Sequence, residues 1–228
     1  MQTQTIEFAH GGFVRLVDKM INPVDLTAVN AARVSMGKEV SVMSERDERL
    51  LTYLADHEHT TPFRHSYVGF HIKAPIFVLR QWMKHQIGCS WNEMSGRYVE
   101  FRADESWSPA EWREAAPSVK QGSGGALDEA LSLSATQTYE GALKHSYEAY
   151  KSLISLGVCK EQARACLPLA LFSECRWTAS VQAIAHFLRL RLDPHAQAEI
   201  REYAAAVRTL MGLHVEGADL ILEALNER

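Results

Sequence analysis

The densest polar stretch of the chain runs from Arg80 to Tyr98, RQWMKHQIGCSWNEMSGRY. At 100° per residue, Arg80, Gln81, Lys84 and His85 share one helical face, and Val78, Leu79, Trp82 and Met83 occupy the other. Such a helix packs its apolar side and offers two cations, an amide and an imidazole to a cleft. The loop after Gly88 adds Ser90, Asn92, Glu93, Ser95 and Arg97. Ser95-Gly96-Arg97 suits an anion cradle, because Gly permits close backbone approach, Ser donates, and Arg binds phosphate bidentately. The plain alternative is a solvated turn between a helix and a strand.

Two further arginines stand out. Arg191 falls close to Ile184 on the apolar surface of a helix rich in Val181, Phe187, Leu188 and Leu190. A cation there needs a partner, since an unpaired buried charge costs several kcal/mol. It either aims at a ligand or snorkels at the helix end. Gln182, His186 and Arg189 form a separate polar stripe suited to a subunit contact or a second ligand. Arg164, just before Leu167-Pro168, is a third candidate anion contact. Histidines 57, 59, 65, 71 and 85 crowd into one stretch, three of them in HEHTTPFRH. That density invites a metal reading, a His-rich nucleotide hydrolase on His57, His59, His65 and His85. Against it, no HExxH helix or Cys pair accompanies them, and turn-capping histidines are the simpler expectation.

These residues need a frame. The 228 residues carry a formal net charge of -4 and 23% charged residues, ordinary for one globular core. An acidic balance argues against broad nucleic-acid coating, which needs a basic surface. No apolar run approaches the ~20 residues that span a bilayer, and Met1 to Phe8 lack a secretory pattern. Cys89, Cys159, Cys166 and Cys175 lack zinc-site spacing and read as reduced, cytoplasmic thiols. Gly12 to Val17 and Ser66 to Lys73 read as strands, and Ser44-Glu45-Arg46-Asp47 as a helix cap before Leu50, Leu51 and Leu54. Pro75 should open a helix that stops near Gly88, and Gly96 to Ala103 could return as a strand. About residues 104–126 the sequence suggests an irregular insertion. Helices are expected at Leu127–Leu156, Lys160–Cys166, Thr178–Leu192 and roughly Pro194–Leu225, the last capped by Asp193-Pro194. Strands early and helices late predict one α+β domain over residues 1–228, with an early antiparallel or mixed sheet and long C-terminal helices.

With these blocks in view, the chain resembles the flavin-dependent thymidylate synthases. That family's signature is Arg-His-Arg, seven or eight residues, then Ser, in a context ending NExSGRY. This sequence has Lys84-His85-Gln86, then Ser95, with Asn92-Glu93-Met94-Ser95-Gly96-Arg97-Tyr98 intact. The blocks HEHTTPFRHSYVGFHIKAPIFVLRQW, ARACLPLALF and WTASVQAIAHFLRLRLDPHAQAEI extend the resemblance over most of 45–103 and 158–203.

The resemblance implies reductive methylation of deoxyuridylate (dUMP) to thymidylate. Methylenetetrahydrofolate would supply the carbon, FAD the hydride, and NADPH the electrons that reduce the flavin. It implies a homotetramer with active sites shared between chains, and no nucleic-acid or membrane partner. By position, Gln81, Lys84, Glu93, Met94, Ser95, Gly96, Arg97, Arg164 and Arg191 match the nucleotide site, with Arg191 the catalytic arginine on the pyrimidine. Thr61, Lys84, His85, Gln86, Glu93, Ser180, Gln182 and His186 match flavin contacts, and His59 lies in the folate region. No resident metal and no covalent Cys are implied, so Cys89 is not expected to be a nucleophile. Lys84 and Gln86 replace arginines of the signature, and Ser180 and Gln182 replace a familiar Asn and Arg. Arg64, where an acidic residue is common, is expected to restore part of the charge missing at Gln86.

Overall fold

The structure, a computed structural model, describes residues 4–102, 105–117 and 122–226. In chain order the elements are β1 (Thr5–Glu7), β2 (Phe13–Lys19), α1 (Val24–Arg33), α2 (Glu45–Asp56), β3 (Tyr67–Pro75), α3 (Ile76–Trp82), β4 (Cys89–Glu93), β5 (Arg113–Ala115) and β6 (Ser123–Ala126). They continue with α4 (Glu129–Ser155), α5 (Lys160–Ala163), β7 (Phe172–Ser180), α6 (Val181–Arg191), α7 (Ala198–His214) and α8 (Ala218–Asn226). Five strands form one antiparallel sheet in the order β1-β2-β3-β7-β4. The fold class is α+β, as the sequence predicted.

Period-two alternation decides the sheet's two faces. Along β3, Val68, Phe70 and Ile72 are buried, and along β7 so are Cys175, Trp177 and Ala179. These side chains meet the apolar faces of α3, α6, α7 and α8. At the centre, Trp82 stacks on Phe187 at 4.6 Å and meets Trp177 edge-on at 5.2 Å. The opposite sheet face carries Arg15, Arg176, Thr178 and Asn92, all exposed.

Several expectations need correction. The helix opened by Pro75 ends at Trp82, well short of Gly88. Lys84 and His85 therefore stand on the turn beyond it rather than on its face, because the chain must reach the sheet edge to pair Cys89 with Ala179 as β4. Gly96 to Tyr98 form a turn, not the start of a returning strand, and Ala103 lies outside the described residues. Thr178–Ser180 end β7, and only from Val181 is the chain helical. Ser180 caps that helix, its Oγ accepting from the Ala183 N–H at 3.2 Å. The expected final helix is two: Gly217, at φ 79°, turns the chain between α7 and α8. Its left-handed backbone suits Gly, and Asp25 fills the space a side chain would need. Gln197, not Asp193-Pro194, is the N-cap of α7. In the supposed irregular insertion, β5 and β6 pair as a two-stranded ribbon; residues 104 and 118–121 of it lie outside the described ones.

Candidate active site

Arg191, the last residue of α6, is half-buried and meets the turn after α3. Its Nε donates to His85 Nε2 at 3.1 Å. A guanidinium has no acceptor, so His85 takes this bond as a neutral imidazole protonated on Nδ1. Burial, then the charges of Arg191 and His186, hold its pKa down at about 4. The His85 ring also meets Phe187 edge-on at 5.3 Å, and its carbonyl accepts from Trp91 Nε1 at 3.4 Å. The snorkelling alternative for Arg191 is thus replaced by a defined partner. Gln81, on the outer side of α3, bonds Gln197 at the start of α7. Gln81 and Arg191 border one cleft of about 690 Å³.

A second group forms where β4 ends. Met94 N–H donates to the Glu174 carbonyl at 2.8 Å, which fixes the exit of the strand. Glu93 is exposed there. Ser95 Oγ accepts from both the backbone N–H and Nε of Arg97 at 3.3 Å. Arg97 is exposed, and its guanidinium carbon lies 5.3 Å from the centroid of the Tyr98 ring. Gly96 is buried, and a Cβ there would lie 3.1 Å from Arg164 Cδ and clash with the Phe101 ring. The glycine is therefore required for the loop to sit against Arg164. Arg164 itself is exposed, its Nε donating to the Glu161 carbonyl at 3.3 Å. Among the described residues, no hydrogen bond or ion pair joins this group to Arg191.

Of the positions matched to flavin contacts, Thr61, Ser180 and Gln182 gather at the foot of α6, whereas Glu93 lies at the far end of β4. Arg64 donates from Nε to Gln182 Oε1 at 2.6 Å and from Nη2 to Thr60 Oγ1 at 3.1 Å. Thr61 is exposed at the start of the 3-10 turn Thr61–Arg64. Ser180 is buried in its capping role. His186 is exposed one helical turn on from Gln182, its ring 5.7 Å from that of His85. Burial, then Arg189 and Arg191, lowers its pKa. Lys84 is exposed, and Gln86 folds back to bond the Met83 carbonyl.

The His-rich stretch does not converge on a metal centre. His57 Nδ1 bonds the Tyr53 carbonyl at 2.9 Å and its ring lies 4.0 Å from that of Tyr53. His59 and His65 are exposed, and His85 is committed to Arg191. Among the described residues no group of three or more His, Cys, Asp or Glu could hold a metal ion. Glu58, between His57 and His59, has φ 58°, unusual for a residue with a side chain and a mark of local constraint.

The sequence reading missed residues of the Arg191 cleft. Arg113 and Arg201 border it too. Arg113 lies in a stretch without helical or strand periodicity, and Arg201 looks like any charge on an amphipathic helix. Only the closure of the ribbon over α7 makes them neighbours.

A family model described as "Thymidylate synthase complementing protein" matches residues 15–214. The flavin-dependent thymidylate synthase of Thermosipho africanus is 43% identical over 199 residues, covering 87% of this chain and 85% of that protein. A Thermus thermophilus protein of the same name is 44% identical over 209 residues, 91% of this chain and 74% of its own length. Among solved structures, the UMP/dUMP methylase PolB of Streptomyces cacaoi, bound with 5-Br dUMP, superposes with TM-score 0.81 at 31% identity, covering 96% of both chains. The hydrolase reading finds no support, and the chain belongs to the flavin-dependent thymidylate synthases.

Proposed function

We propose that the protein methylates dUMP to thymidylate, with methylenetetrahydrofolate as one-carbon donor and NADPH as reductant of its flavin. The observation that carries this is Arg191, held by neutral His85 beside Gln81 at the edge of an open cleft. A fixed guanidinium stabilises negative charge developing on a pyrimidine, and needs no reorganisation as the charge appears. Arg suits the task because it stays protonated. Ser95, the Gly96 backbone, Arg97 and Arg164 would hold the phosphate, with Gln81, Lys84, Glu93 and Met94 around the nucleotide.

The residues at the foot of α6 fit FAD. Arg64 and Lys84 supply charge for a diphosphate, and Gln182, Thr61, Gln86 and the two imidazoles supply polar and planar contacts. Ser180 supports this group as the cap of α6, and Glu93 joins it by its place in the family's pattern. FAD, once reduced by NADPH, would supply the hydride. His59 belongs to the folate side.

Arg97 and Arg164 sit together while Arg191 sits apart, which supports a site completed across subunits of a homotetramer. The 27-residue α4 points the same way: among its described side chains only Tyr150 is buried, while Leu131 and Leu133 are 56% and 61% exposed. No described helix is long and apolar enough to cross a membrane, and all four cysteines are free. We read the setting as cytoplasmic, with no nucleic-acid partner.

The test is tritium release from 5-tritiated dUMP with the folate donor, FAD and NADPH. Omitting FAD should abolish it, and Arg191→Ala should reduce it at least ~100-fold, the scale of losing one preorganised charge donor. Release that persists without FAD, or in Arg191→Ala, would refute the reading.

A further inference from the structure

The cleft beside Arg191 is larger than a pyrimidine contact requires, and its charge is one-sided. Three guanidinium groups from three elements border it: Arg113 on the β5–β6 ribbon, Arg191 at the end of α6, and Arg201 near the start of α7. Among the described residues bordering it, none is Asp or Glu. Glu199 pairs with Arg113 from outside the lining and orients it. Arg201 is anchored through Nη1 to the Pro194 carbonyl at 2.9 Å. Two carboxylates pair with lining residues, Glu199 with Arg113 and Asp193 with His195, and the three guanidinium groups still outnumber them, in a chain whose formal net charge is -4. The start of α7 adds to this. Gln197 and Ala198 border the cleft, and the N-cap Gln197 makes no side-chain bond to the first turn of this 17-residue helix. Its free N–H groups and partial positive charge favour an anion.

We infer that this cleft is a second anion-binding subsite, separate from the Ser95–Arg97 and Arg164 group. It takes the anionic tail of a co-substrate that lies beside the pyrimidine. The inference rests on the reading of Arg191 and Gln81 as pyrimidine contacts. Two co-substrates share the required chemistry: the glutamate carboxylates of the folate donor, and the phosphate groups of the reduced nicotinamide dinucleotide. Either suits guanidinium groups, which pair bidentately with carboxylate and phosphate.

The test is steady-state kinetics of the FAD-loaded protein with Arg113→Gln, Arg201→Gln and both. The variables are triglutamyl against monoglutamyl methylenetetrahydrofolate, NADPH against NADH, and dUMP. The double variant should raise KM for one co-substrate about tenfold or more, and Arg201→Gln alone several-fold, as expected for lost charge-assisted hydrogen bonds. A rise confined to the triglutamyl donor assigns the site to carboxylates. Loss of preference for NADPH over NADH assigns it to phosphate. Unchanged KM for both co-substrates, or a loss carried wholly by dUMP, overturns the inference. Should Arg113→Gln fail to fold with Glu199 unpaired, Arg201→Gln decides the matter. Wild-type protein without FAD-dependent tritium release would instead refute the proposed function, so the two failures are distinguishable.

Discussion

At the level of single side chains, His85 and Cys89 show how burial sets chemistry. His85 is held near pKa 4, against about 6.5 for a free histidine, so the folded state resists protonating it. The unfolded chain binds that proton below about pH 6.5. Its contribution to stability is therefore complete above about 6.5 and is lost as pH falls toward about 4. His85→Gln keeps an acceptor for Arg191 and removes the titration. Denaturant titrations between these pH values should show a shallower loss of stability in the variant; equal slopes would refute this assignment. Cys89 lies two residues from Ile87, to whose carbonyl its thiol donates at 3.6 Å, and burial raises its pKa. A thiol kept protonated is a poor nucleophile. Cys89→Ala should retain most activity in the tritium-release assay, within about a factor of three on the scale of tolerated substitutions; complete loss with FAD still bound would contradict this.

Among the elements, α2 illustrates a local signal that also does tertiary work. Ser44 and Asp47 form the capping box that the spacing Ser44-Glu45-Arg46-Asp47 predicts. Asp47, only 2% exposed, also pairs with Arg33 of α1, so the cap ties two helices together. Ser44→Ala should cost about 1 kcal/mol, the usual worth of a cap. Asp47→Ala should cost about 3–5 kcal/mol, because Arg33 is left as an uncompensated buried charge. Urea denaturation would check the ranking, and equal costs would show that the ion pair adds nothing. The ends of α3 and α6 were less legible. Nothing in Lys84-His85-Gln86 disfavours helix, yet α3 stops at Trp82. The pairing of β4 with β7 overrides a local propensity worth only tenths of a kcal/mol per residue.

For the whole molecule, the issue is whether the three arginines proposed for one nucleotide share a site. Arg164 packs against Gly96, and Arg191 bonds His85 in a different group. If the site is shared between chains, Arg97→Ala and Arg191→Ala should each be inactive alone and complement when mixed and reassembled. Random exchange would leave about a quarter of the sites with both wild-type halves. Recovery near that level, with tetramers seen by sedimentation, would support sharing. No recovery after proven exchange of subunits would place each site within a single chain.

The strands around Val14 and Phe70, the cap at Ser44 and the α+β class were all readable from the sequence alone. Each rests on a local pattern: alternation, or spacing from a cap. The motif likewise singled out His85, and the apolar helix face Arg191, yet not that they bond each other across 106 positions. Nor did local pattern reveal β4 and β7, whose short polar-apolar alternation reads weakly until each strand has the other beside it. Arg113 and Arg201 were equally silent, because an exposed guanidinium looks the same on any surface. Their meaning comes from long-range packing, which no window of neighbouring residues encodes.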